Sequence, residues 1–129
     1  MISVDTNVIV RLLTGDDQLQ FEAAKYLFSK ENILIPTTVL LESEWVLRYA
    51  YHFKQPDITT AFQSLLGLSN VELEEPSVIF NAIEWHRGGM DFADALHLAQ
   101  SKGAEAFVTF DKKLIKSASK NTTLQVREP

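Results

Sequence analysis

The sequence predicts an α/β fold built on a parallel sheet, and three observations predict it. Short apolar, β-branched runs of strand length recur at Ile2–Val4, Ile33–Ile35, Val71–Leu73, Ala106–Phe110 and Thr123–Val126. The segments between them carry apolar residues at helical spacing. Strands alternating with helices along a chain form a parallel sheet with helices over both faces. The third observation is texture: 129 residues without repeats, low-complexity tracts or linkers suit a single domain spanning residues 1–129.

The elements follow in order. After the first strand, Val8 to Leu13 reads as a helix stopped by Thr14-Gly15. Asp16 to Lys30 places Leu19, Ala23, Tyr26 and Leu27 on one helical face. Pro36 stops the second strand, and Thr37 or Thr38 can cap a helix reaching Tyr51 with Val39, Leu40, Val46 and Leu47 inward. Pro56-Asp57 restarts a helix through Leu68, and Pro76 suits the first turn of the next helix, to about His86. Gly88-Gly89 breaks the chain before a helix from Phe92 to Lys102 that Gly103 ends, and Asp111 to Ser117 gives the last helix.

Composition narrows the function classes. The absence of cysteine removes zinc-thiolate sites, thiol nucleophiles and disulfide scaffolds together. The N-terminus lacks the basic start and long apolar stretch of a signal peptide. No run approaches the roughly 20 apolar residues of a membrane span, so a soluble, cytoplasmic protein is expected. The net charge of −5 weighs against nucleic-acid binding unless several acids are gathered in one pocket and neutralised by cations.

The acids are where chemistry concentrates. Asp5 follows the first strand, Glu42 lies early in the helix after the second, and Asp111 follows the fourth. Ligands of open parallel sheets bind beyond the carboxyl ends of the strands, so these acids are expected at one edge. Asp94 begins the helix preceding the fourth strand and points to the same edge. Two unit charges about 4 Å apart repel by roughly 4 kcal/mol at an effective dielectric near 20, so such a cluster calls for protons or a cation. Hard oxygen donors without Cys or paired His suit Mg²⁺ or Mn²⁺, which polarise phosphoryl oxygens and activate water for phosphodiester hydrolysis.

Each acid also has a structural reading. Asp5, Asp91 and Asp111 all stand where an N-cap is needed. Glu44 rivals Glu42 as the inward glutamate. His52, His86 and His97 read as structural, and Trp45 and Trp85 as core or interface residues.

Four segments resemble the motifs of PIN-domain proteins, in particular toxin ribonucleases of the VapC type. They are Ser3-Val4-Asp5-Thr6-Asn7-Val8, the stretch from Val39 to Arg48, the stretch from Asp91 to Ala99, and Val108-Thr109-Phe110-Asp111-Lys112-Lys113-Leu114. The resemblance favours Glu42 over Glu44 and Asp94 over Asp91. It implies a three-layer α/β/α sandwich with a central parallel sheet, and Mg²⁺- or Mn²⁺-dependent RNA cleavage using one or two ions held by Asp5, Glu42, Asp94 and Asp111. It further implies 5′-phosphate and 3′-hydroxyl products, a homodimer, and a small cognate antitoxin. Thr6, Asn7, Thr109 and Asp91 would orient the carboxylates, and Arg11, Arg48, Lys112 and Lys116 are candidate phosphate contacts. Lys113 stands where some relatives carry a further acid, which bears on the second ion.

Two rivals belong to other classes. A phosphoacceptor signalling domain has similar size and an acidic Mg²⁺ pocket, but wants adjacent acids after its first strand and a Lys after a late one. A non-catalytic module could use the same fold to bind RNA or a partner protein.

Overall fold

The computed structural model describes every residue from Met1 to Pro129, and within it the chain forms two compact units, Met1–Pro76 and Ser77–Pro129. In the first unit β1 (Ile2–Ser3), β2 (Ile33–Leu34) and β3 (Val71–Glu72) run parallel in the order β1-β2-β3. Ile2 lies opposite Ile33, and Ile33 opposite Val71. The ladder continues past these short strands: the Val4 N–H donates to the Leu34 carbonyl at 3.3 Å and the Ile35 N–H to that of Glu72 at 3.1 Å. Parallel neighbours require a crossover. Helices α1 (Thr6–Thr14) and α2 (Gln18–Lys30) supply the first, and α3 (Thr37–Tyr49) and α4 (Gln55–Leu66) the second.

Ile33 and Ile35 on the central strand, Ile9 on α1, Leu40 and Leu47 on α3, and Ile58 and Phe62 on α4 are all fully buried and form this unit's core. Gly15 ends α1 in the left-handed conformation (φ +64°), where a side chain would be strained, and its N–H closes on the Arg11 carbonyl.

The second unit comprises α5, which starts at the boundary (Pro76–Arg87), α6 (Phe92–Ala99), β4 (Phe107–Val108), α7 (Lys112–Asn121) and β5 (Val126–Arg127). The β4–β5 pair is parallel, with Phe107 opposite Val126 and α7 as its crossover. Ile79, Ala82 and Ile83 on α5 and Phe92, Ala95 and Leu98 on α6 are buried, and the buried His86 ring meets Phe92 edge-on at 5.3 Å.

Every expected strand and helix exists, and the differences lie in edges and faces. The five strands fall into a three-stranded sheet and a two-stranded pair, one in each unit, rather than one recorded ladder. Helix α6 stops at Ala99, short of Lys102, because the Gln100 and Ser101 N–H groups tighten onto the Leu96 and Leu98 carbonyls and Ser101 Oγ donates to the carbonyl of His97. β5 begins at Val126 rather than Thr123, since Thr122 Oγ1 accepts the Leu124 N–H and folds that stretch into a local turn.

Neither Thr37 nor Thr38 caps α3. Pro36 holds that place, and its carbonyl accepts the Val39 and Leu40 N–H groups. Helix α4 starts at Gln55 and ends at Leu66, where the Gly67 N–H closes it onto the Gln63 carbonyl. On α2 the buried residues are Ala24 and Phe28, while Leu19 and Tyr26 face solvent. On α3, Ser43 and Glu44 join Leu40 and Leu47 inside, and Val39 and Val46 are half-buried. Trp85 is a core residue as expected, but Trp45 is exposed.

Candidate active site

Short polar residues just ahead of a helix can cap its first turn, and three of the predicted site residues do this work, Asp5 and Asp111 after a strand and Asp91 after helix α5. Asp5 caps α1 by accepting the Val8 N–H at 3.4 Å. Asp91 caps α6, its Oδ2 accepting the Asp94 N–H at 3.1 Å. Asp111 caps α7 with a single oxygen, Oδ1, which takes the Lys113 and Leu114 N–H groups at 3.0 and 3.1 Å. Capping therefore does not exclude a second role: in Asp5 and Asp111 the Oδ2 atoms accept no hydrogen bond and are free to take another ligand.

In the first unit, Asp5 lies just beyond the carboxyl end of β1, and Glu42 lies in the second turn of the helix that follows β2. These strands are parallel neighbours, so both acids reach the same edge of the sheet. Thr6, buried at the start of α1, donates its hydroxyl to Glu42 Oε1 and ties the two motifs together. Glu44 is the inward glutamate, only 1% exposed, and it is fully engaged by Arg48, whose Nε and Nη2 reach its two oxygens at 2.8 and 3.2 Å. Glu42 is exposed and Glu44 is structural.

In the second unit, Asp94 sits part-buried in the first turn of α6. Burial, then the negative charges of Asp91 and Asp111, raise its carboxyl above the usual aspartate range, while His97 acts in the opposite direction. No hydrogen bond reaches the Asp94 carboxylate. Thr109 Oγ1 accepts the Asp111 N–H at 3.0 Å and so fixes the turn that presents Asp111. His97, three residues after Asp94 on the same helix and read from the sequence as more often structural, is thus an electrostatic neighbour of Asp94.

The other predicted residues divide. Asn7 is exposed beside Asp5 and lines a groove between α1 and α2 with Val8, Arg11, Gln20, Ala23, Ala24 and Leu27. Arg11 is engaged by Asp16 at 3.0 Å, by Gln20 at 2.7 Å and by the Tyr51 hydroxyl at 2.8 Å, and the Tyr51 hydroxyl donates to Asp16 at 2.5 Å. Arg48 is held by Glu44 and lies over the Tyr49 ring. Lys112 and Lys116 are exposed on α7 and make no ion pair.

The donor chemistry suits a hard divalent cation: carboxylate oxygens, one of them crowded by like charge, with no sulfur present. In neither unit do three or more such side chains gather closely enough to hold an ion by themselves.

The family model for the PIN domain matches residues 2–120, which includes all four acids and runs through both units. No curated protein matches the chain. PIN domains are commonly nucleases and typically bind divalent metals. Seven helices and parallel strands are compatible with their α/β/α architecture. The chain belongs to the PIN-domain family.

Proposed function

We propose that this PIN domain is a Mg²⁺- or Mn²⁺-dependent endoribonuclease and the toxin of a toxin–antitoxin pair, acting in the cytoplasm as a single domain of residues 1–129. The observation that carries the nuclease reading is Asp94, part-buried among acids and without a hydrogen-bond donor, a carboxylate whose surroundings favour a cation. Asp5, Glu42, Asp94 and Asp111 would hold one or two ions. When bound, such ions polarise the phosphoryl oxygen, lower the pKa of water and stabilise the leaving oxygen.

The chain's own residues set the geometry. Thr6 fixes Glu42, and the helix caps hold Asp5 and Asp111 by one oxygen each while leaving the other available. Thr109 and Asp91 orient Asp111 and the start of α6 through backbone N–H groups. Lys112 and Lys116, at i and i+4 on α7 directly after Asp111, are the open cations suited to flanking phosphates. Arg11 and Arg48 would have to leave or share their present partners to serve.

The 510 Å³ groove between α1 and α2, apolar at Val8, Ala23, Ala24 and Leu27, supports the antitoxin part of the reading, since an amphipathic helix docks in such a groove. A homodimer completes the proposal. The test is incubation of the purified chain with structured RNAs in Mg²⁺, Mn²⁺ or EDTA. Metal-dependent fragments with 5′-phosphate and 3′-hydroxyl ends are expected, and Asp5→Asn should abolish them while the fold persists. Full activity in that variant, or no cleavage of any RNA by the parent chain, overturns the reading.

A further inference from the structure

Helix α3 carries Glu42 on its solvent side, and the residues on that side form one continuous stripe. Thr38, Glu42, Trp45 and Tyr49 stand at i, i+4, i+7 and i+11, and all four are exposed, while Leu40, Ser43, Glu44 and Leu47 fill the opposite face. Trp45 and Tyr49 leave 54% and 56% of their surface open. Their rings lie 5.1 Å apart and tilted by 46°.

The platform is braced from behind. Arg48 places its guanidinium 4.6 Å from the Tyr49 ring centre, and buried Glu44 holds that guanidinium through two hydrogen bonds. Tyr49 is therefore stacked from one side by a cation whose charge is already balanced. At 1.5 Å per residue the aromatics stand about 4.5 and about 10 Å along the helix from Glu42. Those separations match one to three stacked bases at roughly 3.4 Å each.

Charge explains why such a surface is needed. Proteins that bind nucleic acid through phosphates draw on many free Lys and Arg side chains. This chain has a net charge of −5, and Arg11 and Arg48 are both held in ion pairs. With those two arginines engaged, Lys112 and Lys116 are left to meet phosphates near Asp111, and a term that does not depend on charge would add to them. Stacking of bases on aromatic rings is that term, and it is open to unpaired bases only.

We propose that Trp45 and Tyr49 form a stacking platform that positions unpaired bases of the RNA strand next to Glu42. This rests on the ribonuclease reading above. Trp45 and Tyr49 are substrate-positioning residues, and their role is in binding.

The probes are short single-stranded RNA, a duplex of the same sequence, and an abasic strand with the same phosphates, bound to the full chain in EDTA. Trp85 is in the core, so quenching of tryptophan emission reports Trp45. Single-stranded RNA should quench it, and the duplex and abasic strand should not. Trp45→Ala and Tyr49→Ala should each weaken binding of the base-bearing strand by roughly 5-fold to 100-fold. Trp45→Phe should restore most of the loss, and Leu19→Ala, an exposed apolar truncation on α2, should change nothing. In cleavage the loss should fall on KM more than on kcat, and binding should depend weakly on salt.

Unchanged affinity in both alanine variants, with cleavage by the parent intact, overturns the platform and spares the nuclease. Conversion of a dimer to a monomer with RNA affinity unchanged would make the stripe a contact between copies and equally overturn it. A parent chain that neither binds nor cleaves RNA overturns both readings.

Discussion

The first unit holds both of its candidate acids by hydrogen bonds, while the second holds Asp111 and leaves Asp94 without a donor. In the first unit, Glu42 receives the Thr6 hydroxyl and Asp5 a backbone N–H, so each carboxylate has a donor within its own fold. In the second, Asp94 has no donor and faces the charges of Asp91 and Asp111, which together with burial lift its carboxyl above the ordinary range. The first pair is preorganised by hydrogen bonds. In the second unit Asp111 is held too, by two backbone N–H groups, and Asp94 alone is left in a tension that a cation would relieve. Positioning and charge demand are thus divided between two stretches of chain.

The largest expected effect tests that division directly. Asp94→Asn should lower cleavage by at least about a hundredfold, since a ligand loss exceeds the 10–100-fold typical of a supporting residue. The same change removes like-charge repulsion, so stability without metal should hold or rise slightly. A marked fall in melting temperature would show that Asp94 is a structural carboxylate. Asp5→Asn should lose activity at unchanged stability because Asn caps as well as Asp, whereas Asp5→Ala should also cost about 0.5–2 kcal/mol in denaturant unfolding.

Next in size is the response to metal itself. Mg²⁺ or Mn²⁺ at a hundred times its dissociation constant should stabilise the parent by about 2.7 kcal/mol, read as a raised melting temperature, and Asp94→Asn should remove most of that gain. Thr6→Val should then act through Glu42 alone. Cleavage should drop about 10–100-fold, with the metal-induced rise in melting temperature smaller but present. Equal cleavage by this variant would show that Glu42 needs no anchoring.

The smallest effect concerns Arg11, Asp16 and Tyr51. The hydrogen bond from Tyr51 lowers the Asp16 carboxyl, and that same bond raises the Tyr51 phenol. A lowered carboxyl contributes stability above the ordinary aspartate pKa that is lost as pH falls through the lowered value. A raised phenol contributes stability below the ordinary tyrosine pKa that is lost as pH rises through the raised one. Tyr51→Phe should flatten both limbs of a stability–pH profile measured by thermal unfolding. Asp16 is exposed and Arg11 and Tyr51 are only half-buried, so solvent screens the network and the change should be slight.

Much of this was legible in the sequence because the signals are local. Asp5, Asp91 and Asp111 cap helices as their positions suggested, and Gly15 ends α1. Faces were harder to read. Helix α2 carries apolar residues on several sides, so Leu19, Ala23, Tyr26 and Leu27 formed one stripe as plausible as the Ala24–Phe28 stripe that is buried. Glu44 is inside because Arg48, one turn later, neutralises it, a pairing that hydrophobic periodicity cannot register. The family motif, not the pattern, pointed to Glu42.

The buried Glu44 also shapes how variants of this protein will be read in a cell. Arg48 stands one turn beyond the candidate site and looks like a residue to mutate for RNA contact. Removing it strands a buried carboxylate, a loss of up to about 3 kcal/mol once screening at the 36% exposed arginine side chain is allowed for. Against the 5–15 kcal/mol that holds a typical domain, that is enough to send much of the chain to proteolysis. A loss of function in an Arg48→Ala strain would then report low abundance of the protein, not a lost contact with RNA.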